Sequence, residues 1–241
     1  MIASSIISSL RAARRCDFAV TLPREVSKRA LWSCAALALL IPALFGLDAD
    51  AAARTLKLVA LGDSLTAGYE LPQDAAFPVV LEAALRRDGY AVSVVNAGVS
   101  GNTAADGLAR LDWSVQDGTD GVILELGAND MLQGLDPGHT RAVLDRIMGA
   151  LAARHIKVLI AGMLAAPNLG PEYRTAFDRI YPELAAKYRA PLYPFFLKGI
   201  VGHANLMLAD GLHPNVAGVK TIVAGILPSV ETFLTTMSHR T

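Results

Sequence analysis

The sequence predicts a single α/β domain built on a five-stranded parallel sheet. Short apolar runs rich in strand-forming residues alternate with longer amphipathic runs, a pattern typical of βα units on a sheet covered on both faces. No internal repeat, low-complexity tract or interdomain linker divides residues 54–241, and their number suits one domain. We therefore expect strands and helices to alternate within one unit.

The individual elements follow from these runs in chain order. The predicted strands cover residues 56–61, 91–96, 121–126, 157–163 and 191–193. The predicted helices cover residues 77–88, 103–115, 140–154, 172–188 and 215–234. In the first helix, Leu81, Ala84 and Leu85 form an i, i+3, i+4 apolar face, which is the periodicity of an amphipathic helix.

An uncharged apolar run at residues 31–47 predicts a secretory signal peptide over residues 1–53. Basic residues precede the run and small residues follow it, as in such peptides. Cleavage is expected after Ala51 or Ala53, and we favour Ala53 because strand-like residues begin soon after it. The protein is then periplasmic or secreted. The alternative, an uncleaved membrane anchor, requires about 20 apolar residues, and this run is shorter and contains Pro42.

Cysteine content and charge exclude several classes of function. Cys16 and Cys34 both lie in the predicted leader, so the predicted domain has neither a disulfide scaffold nor a cysteine-based zinc site. The chain has 22 basic and 22 acidic residues, and its domain lacks a basic run. Because nucleic-acid binding depends on neutralising phosphates, no nucleic-acid partner is expected.

Four polar clusters stand at residues 62–65, 96–103, 127–130 and 210–214, and the first three follow predicted strands. Ligands of open α/β sheets bind beyond the carboxyl ends of the strands. Taken singly, each cluster has an ordinary structural explanation, such as a turn, a helix N-cap or an Asx hydrogen bond. Taken together, they contain every group that acyl transfer requires.

The predicted chemistry assigns a role to one or two groups in each cluster. Ser64, in a tight turn after the first strand, is the predicted nucleophile, and His213 is its base because the ordinary pKa of histidine lies near neutrality. Asp210 would hold the histidine ring and stabilise the imidazolium. The backbone N–H groups of Ser64 and Gly101 and the side-chain amide of Asn129 would bind the oxyanion of the tetrahedral intermediate.

These residues resemble the four blocks of the SGNH, or GDSL, hydrolase family. The serine, glycine, asparagine and histidine of the blocks correspond to Ser64, Gly101, Asn129 and His213, in the family's order. The similarity is closer to the branch of periplasmic multifunctional enzymes described as acyl-CoA thioesterase I, lysophospholipase L1 and arylesterase. Further matching stretches are residues 61–69, 94–97, 107–111, 125–130, 181–185 and 194–196.

The resemblance implies a flavodoxin-like three-layer α/β/α fold, the SGNH hydrolase fold, for residues 54–241. It also implies that no cofactor is needed and that Asp210 is the third member of a catalytic triad. Asp63 and Asp130, which flank the predicted site residues, are expected to support them rather than to transfer protons. No metal is expected, because the sequence has no H-E-x-x-H or other metal-ligand spacing.

The chain departs from the family pattern in three places. Ala128 replaces the second glycine of the third block, and Asn102 stands where the close branch often has an acidic residue. The loop at residues 164–170 matches the acyl-binding loop of that branch only in part. The expected substrate-binding residues are Ala165, Ala166 and Pro167 in this loop, together with Met207.

These features predict an exported serine esterase that hydrolyses esters and thioesters of fatty acids through an acyl-enzyme on Ser64. The expected substrate is a small acyl ester or thioester, with lysophospholipids among the candidates, and the expected state is a monomer. Two alternatives stay open at this point. One is a carbohydrate O-deacetylase of the same fold, and the other is a catalytically idle domain that binds lipid or glycan.

Overall fold

A parallel β-sheet forms the centre of the part of the chain that the computed structural model describes, residues 54–238. Within these residues its strands are β1 Leu56–Gly62, β2 Val92–Gly98, β3 Gly121–Glu125, β4 Lys157–Ala161 and β5 Leu192–Tyr193. All neighbouring strands are parallel, so the predicted five-stranded parallel sheet is confirmed. The predicted leader, residues 1–53, and its cleavage bond lie outside the described residues.

The strand order β2-β1-β3-β4-β5 creates a switch point beside β1. The chain first crosses from β1 to β2 and then returns to the other side of β1 to form β3. In the sheet register, Gly62 at the end of β1 pairs with Gly98 on one side and with Glu125 on the other. Open α/β sheets bind ligands at such a point, beyond the carboxyl ends of the strands.

Helices flank the sheet on both faces. In the described residues they are α1 Ser64–Ala67, α2 Phe77–Arg87, α3 Ala104–Ala109, α4 Leu111–Ser114, α5 Ala128–Leu132, α6 Pro137–Ala153, α7 Pro171–Asp178, α8 Ile180–Tyr188 and α9 Val216–Ser238. Helix α2 packs against α9, and α3 packs against α6. Because right-handed crossovers run to either side of β1, these two pairs cover opposite faces of the sheet. The predicted α/β/α layering is confirmed.

The last helix, α9, is a core helix. By length and composition it is also apolar enough to cross a membrane, with a mean hydropathy of 1.3 over Val216–Met237. Its buried residues recur at helical spacing and form one stripe against the rest of the core. They are Val219, Ile222, Val223, Ile226, Val230, Phe233, Leu234 and Met237.

Two predicted helices are each a pair of shorter helices. The predicted helix over residues 103–115 is α3 and α4, which meet at Arg110, and that over residues 172–188 is α7 and α8, which meet at Arg179. Each half keeps buried residues of its own, so the pattern of apolar residues in the sequence does not reveal either break. The backbone at Arg110 leaves helical geometry, with φ −106° and ψ 11°.

The strand predicted over residues 157–163 ends at Ala161. Gly162 and Met163 belong to the same apolar run, and Met163 is buried, but neither continues the strand. The apolar run therefore includes buried residues that lie beyond the end of the strand. The predicted strand over residues 91–96 differs in the opposite sense, since β2 continues to Gly98.

Candidate active site

The turn between β1 and α1 presents Ser64 at the carboxyl edge of the sheet. Asp63 caps α1, and its Oδ1 accepts a hydrogen bond of 3.0 Å from the backbone N–H of Leu65. Gly62 allows this turn, because a Cβ at that position would lie 2.1 Å from Thr66 Oγ1 and 2.5 Å from Glu125 Oε2. The local sequence therefore forces the chain from strand to helix within two residues.

Ser64, His213 and Asp210 form a continuous hydrogen-bonded chain. His213 Nε2 lies 2.9 Å from Ser64 Oγ, and His213 Nδ1 lies 2.6 Å from Asp210 Oδ2. Because a carboxylate faces Nδ1, the proton of the neutral ring belongs on Nδ1, which leaves the Nε2 lone pair facing the hydroxyl. Hydrogen bonds from the His213 side chain and from the backbone N–H groups of His213 and Leu212 lower the pKa of Asp210 to about 2.

The three donors predicted for an oxyanion differ in whether they already have an acceptor. Gly101 has a left-handed φ of +81° and open space around its α-carbon, and its N–H has no acceptor within residues 54–238. The N–H of Ser64 at the start of α1 likewise has none among the described residues. The third donor is the side-chain amide of Asn129 on α5. Such donors can stabilise an oxyanion that forms on a carbonyl attacked by Ser64 Oγ.

The four clusters predicted from the sequence thus come together at one edge of the sheet. The sequence model of the GDSL-like Lipase/Acylhydrolase family matches residues 60–220 of the chain. The chain belongs to this family. The resemblance inferred from the sequence is confirmed.

Known members of the GDSL family resemble this chain over most of its length. Esterase TesA of Pseudomonas aeruginosa is 38% identical over 193 residues, which cover 80% of this chain and 95% of that protein. Thioesterase 1/protease 1/lysophospholipase L1 of Escherichia coli (strain K12) is 40% identical over 166 residues, covering 68% of this chain and 77% of that protein. The crystal structure of AlinE4, an SGNH-hydrolase family esterase, superposes with a TM-score of 0.63 at 42% identity, covering 75% of this chain and 97% of that chain. This GDSL-family chain is an ester-bond hydrolase.

Two buried carboxyl groups lie directly below the GDSL serine. The N–H of Asp63 donates a long hydrogen bond of 3.4 Å to Glu125 Oε2, which also accepts a bond of 2.7 Å from Thr66 Oγ1. Burial raises the pKa of Asp63 to about 6. Burial, followed by the charge of Asp63, raises the pKa of Glu125 well above its ordinary value. Glu125 Oε1 is buried without a partner in the described residues, which adds to the free-energy cost of ionising this carboxyl group.

Asp130 joins three helices behind the site. Its Oδ2 accepts 2.8 Å from the N–H of Ala104 at the start of α3, and its Oδ1 accepts 3.1 Å from Thr140 Oγ1 on α6. The carboxylate is buried, so these bonds replace the water that it loses. Asp130 therefore holds α5, the helix that carries Asn129, against α3 and α6.

A groove of about 430 Å³ opens beside Ser64. The expected substrate-binding residues Ala165, Ala166, Pro167 and Met207 all line it. Most of the other lining side chains are apolar, and they include Met131, Leu132, Met163, Leu164, Phe195 and Leu212. Asp178 fixes the loop that forms one wall, because its Oδ1 accepts 2.8 Å from the N–H of Ala165. The groove is suited to an extended apolar chain attached to a reacting carbonyl.

A second cavity, of about 380 Å³, lies at the opposite end of the sheet, beside the start of β4. It contains none of the predicted site residues, and its lining includes His155, Lys157 and Tyr188. The histidines His139, His155 and His203 are exposed. Within residues 54–238, no group of three or more His, Asp or Glu side chains lies close enough to hold a metal ion.

Sequence reasoning missed three residues that contact the site. The ring of Tyr69 packs on that of His213, with centroids 4.4 Å apart and planes at 36°. Glu125 lies below the serine turn, and Arg110 donates hydrogen bonds to Gly62 and to the loop after β2. All three lie in stretches of the sequence that match the family. This match could have drawn attention to them, but it did not indicate what they do.

Proposed function

We propose that the protein is an exported serine esterase that forms an acyl-enzyme on Ser64. The observation that carries the proposal is the chain of two short contacts from Ser64 Oγ to His213 and from His213 to Asp210. A serine hydroxyl is a weak nucleophile until a base takes its proton, and the Nε2 lone pair of His213 is within reach to do so.

The first half of the reaction acylates the serine. Ser64 Oγ attacks the carbonyl carbon of the ester while its proton passes to His213 Nε2, and the ionised Asp210 stabilises the imidazolium. The resulting oxyanion accepts hydrogen bonds from the N–H groups of Ser64 and Gly101 and from the amide of Asn129. When the intermediate collapses, His213 returns the proton to the leaving alcohol oxygen or thiol sulfur.

The second half of the reaction releases the acid. His213 takes a proton from a water molecule, which attacks the acyl carbonyl, and the same donors hold the second oxyanion. Collapse of this intermediate breaks the bond to Ser64 Oγ, which regains its proton from His213. The free carboxylic acid then leaves.

The proposed substrates are small esters and thioesters of fatty acids, including lysophospholipids, and the proposed state is a monomer. The apolar lining of the groove supports an acyl chain as the group that occupies it. The names of the relatives, an esterase and a thioesterase and lysophospholipase, support the same class. A carbohydrate O-deacetylase would need a polar surface for the glycan, whereas the groove beside Ser64 is mainly apolar.

The proposed location is the periplasm or the cell exterior, and the leader-like residues 1–53 support it. The mass of the mature amino terminus tests this proposal. Cleavage predicts a chain that begins at Ala52 or Arg54 in a soluble fraction. A chain that retains Met1 in the membrane fraction would favour the uncleaved anchor.

Hydrolysis of p-nitrophenyl esters from acetate to palmitate tests the proposed chemistry. Ser64→Ala should lose on the order of 10⁶ in kcat, as nucleophile removal does in a serine hydrolase. Ser93→Ala is a matched control, because Ser93 is the second residue of β2 and lies near the end of the strand away from the site. A folded wild type that cleaves none of the esters would instead favour the binding domain, and cleavage of acetate alone would favour the deacetylase.

A further inference from the structure

Arg110 lies at the junction of α3 and α4, and its guanidinium is directed under the carboxyl ends of β1 and β2. Its Nη2 donates 2.8 Å to the carbonyl of Gly62, and its Nη1 donates 2.9 Å to the carbonyl of Ala97. Its Nε donates 2.7 Å to Asn102 Oδ1, and Nη1 also donates 2.9 Å to Ser114 Oγ. One side chain therefore joins two strand ends, the loop after β2 and helix α4.

The segments that Arg110 holds are the ones that carry the three oxyanion donors. Gly62 stands two residues before Ser64, whose N–H is one donor. Asn102 is bonded directly to Gly101, whose N–H is another. The carbonyl of Asn102 accepts 3.0 Å from the side-chain amide of Asn129, so the same loop also orients the third donor.

We propose that Arg110 is a positioning residue for the oxyanion hole, setting the distances between its three donors through Gly62, Ala97 and Asn102. The inference rests on the proposed function, because it assigns Arg110 a part in the same reaction. Arg110 is not among the residues that line the groove beside Ser64; it acts through the backbone that presents the donors. The junction of α3 and α4 at Arg110 directs its side chain towards these carbonyls.

The geometry requires an arginine. The guanidinium presents five N–H donors in a rigid plane. They form four hydrogen bonds, each to a different residue. A lysine ammonium has three donors on a flexible stem and cannot span the same acceptors at once. Within residues 54–238 Arg110 forms no salt bridge, so its contacts are to neutral acceptors with fixed positions rather than to a mobile carboxylate.

The experiment compares Arg110→Lys with Arg154→Lys in the full enzyme. Arg154 is the matched control, because its half-buried guanidinium also donates to a backbone carbonyl, that of Val115, but at the opposite end of the sheet. The readouts are kcat and KM on p-nitrophenyl butyrate, thermal unfolding, and inhibition by an alkyl trifluoromethyl ketone. Ser64 Oγ adds to the carbonyl carbon of this inhibitor, its proton passes to His213, and the ketone oxygen becomes an alkoxide in the oxyanion hole.

Arg110→Lys should lower kcat about 10- to 100-fold with KM within about 3-fold of wild type, since small displacements of catalytic donors have effects of this size. The inhibition constant of Arg110→Lys for the ketone should rise by a similar factor. Arg154→Lys should match wild type in kcat, in KM and in the inhibition constant. If kcat and the inhibition constant of Arg110→Lys stay at wild-type values, or if kcat falls only in proportion to the unfolded fraction while the inhibition constant is unchanged, the proposal is wrong. An inactive wild type would count against the proposed function instead.

A second variant keeps the inference testable if Arg110→Lys does not fold. Asn102→Ala removes only the acceptor of Arg110 Nε and leaves the guanidinium and the loop backbone in place. It should lower kcat about 10-fold at unchanged KM and unchanged thermal stability, because the loop then holds Gly101 and Asn129 less firmly. Wild-type kcat in Asn102→Ala would overturn the proposal.

Discussion

The side-chain amide of Asn129 donates a hydrogen bond of 3.1 Å to the carboxylate of Asp63, the residue that precedes the proposed nucleophile. Its second hydrogen is donated to the carbonyl of Asn102. Since both neighbours are acceptors, the amide nitrogen must face them, which fixes the orientation of the group. Both hydrogens are therefore engaged in the free protein, and in the proposed mechanism the oxyanion would share one of them.

Asp63→Asn should lower kcat on short esters about 10- to 100-fold, because the new amide presents a donor to the donor of Asn129 and disturbs one oxyanion contact. The new side chain retains an oxygen that can cap α1. Asp136→Asn is the matched control, since Asp136 caps α6 by accepting 2.8 Å from the N–H of His139. Steady-state kinetics that show the same kcat for both variants would rule out this role for Asp63.

Glu125→Gln should change how stability depends on pH. The pKa of Glu125 is raised above its ordinary 4.5 in the folded protein. The unfolded chain therefore loses this proton first, and wild-type stability falls as pH rises from about 4.5 towards the raised pKa. A glutamine cannot ionise. The stability of the Glu125→Gln variant relative to wild type should therefore increase over that pH range and then level off.

Urea unfolding at several pH values measures this difference between Glu125→Gln and wild type. Each unit by which the folded and unfolded pKa values differ corresponds to about 1.4 kcal/mol. Glu82→Gln is a suitable comparison, because Glu82 is only partly buried and accepts from the N–H of Val94. A stability difference that is the same at every pH would mean that the folded protein holds Glu125 as an ion from pH 4.5 upwards.

Asp210→Asn should lower kcat about 10⁴-fold with little change in KM, the size of effect seen when a triad carboxylate becomes an amide. The ionised Asp210 selects the Nδ1–H form of His213 through their 2.6 Å contact, and an amide nitrogen favours the other tautomer. Asp120→Asn is the control, because Asp120 accepts from Lys57 near the start of β1. If Asp210→Asn retains a tenth or more of wild-type kcat, another group must orient His213.

Met207→Asp tests the groove as the site of the acyl chain. Met207 lines the groove beside His213, and a carboxylate there would be unfavourable next to buried methylene groups. The loss in kcat/KM should be larger for p-nitrophenyl palmitate than for the acetate, by about 10-fold or more, because a longer chain buries more apolar surface. An equal loss in kcat/KM on both esters would contradict the assignment of the groove as the site of the acyl chain.

The sequence was sufficient to predict the parallel sheet and to locate the candidate site. Apolar strands followed by polar residues indicate a sheet edge, and the carboxyl ends of parallel strands meet at one edge. The clusters around Ser64, Gly101 and Asn129 therefore had to approach one another once the strand order was fixed. The cluster at Asp210 and His213 follows no long strand, and the chemistry that acyl transfer requires, rather than the sheet, grouped it with the other three.

The supporting residues could not be predicted in the same way. Glu125 is the last residue of β3 and contacts Thr66, 59 positions earlier, while Arg110 on a predicted helix contacts Gly62, 48 positions earlier. Local periodicity describes Glu125 as an interruption of an apolar run and Arg110 as an ordinary charge on a helix. Their partners depend on how α1, α3 and the strand ends pack, which no local pattern contains.

Mass spectrometry of the acid-quenched enzyme tests the central claim most directly. During turnover of p-nitrophenyl butyrate, the wild type should gain the mass of one butyryl group, and the modified peptide should contain Ser64. The same peptide should be unmodified in Ser64→Ala, and Ser93→Ala should behave as wild type. An acyl group on any other residue, or undiminished hydrolysis by Ser64→Ala, would contradict the account.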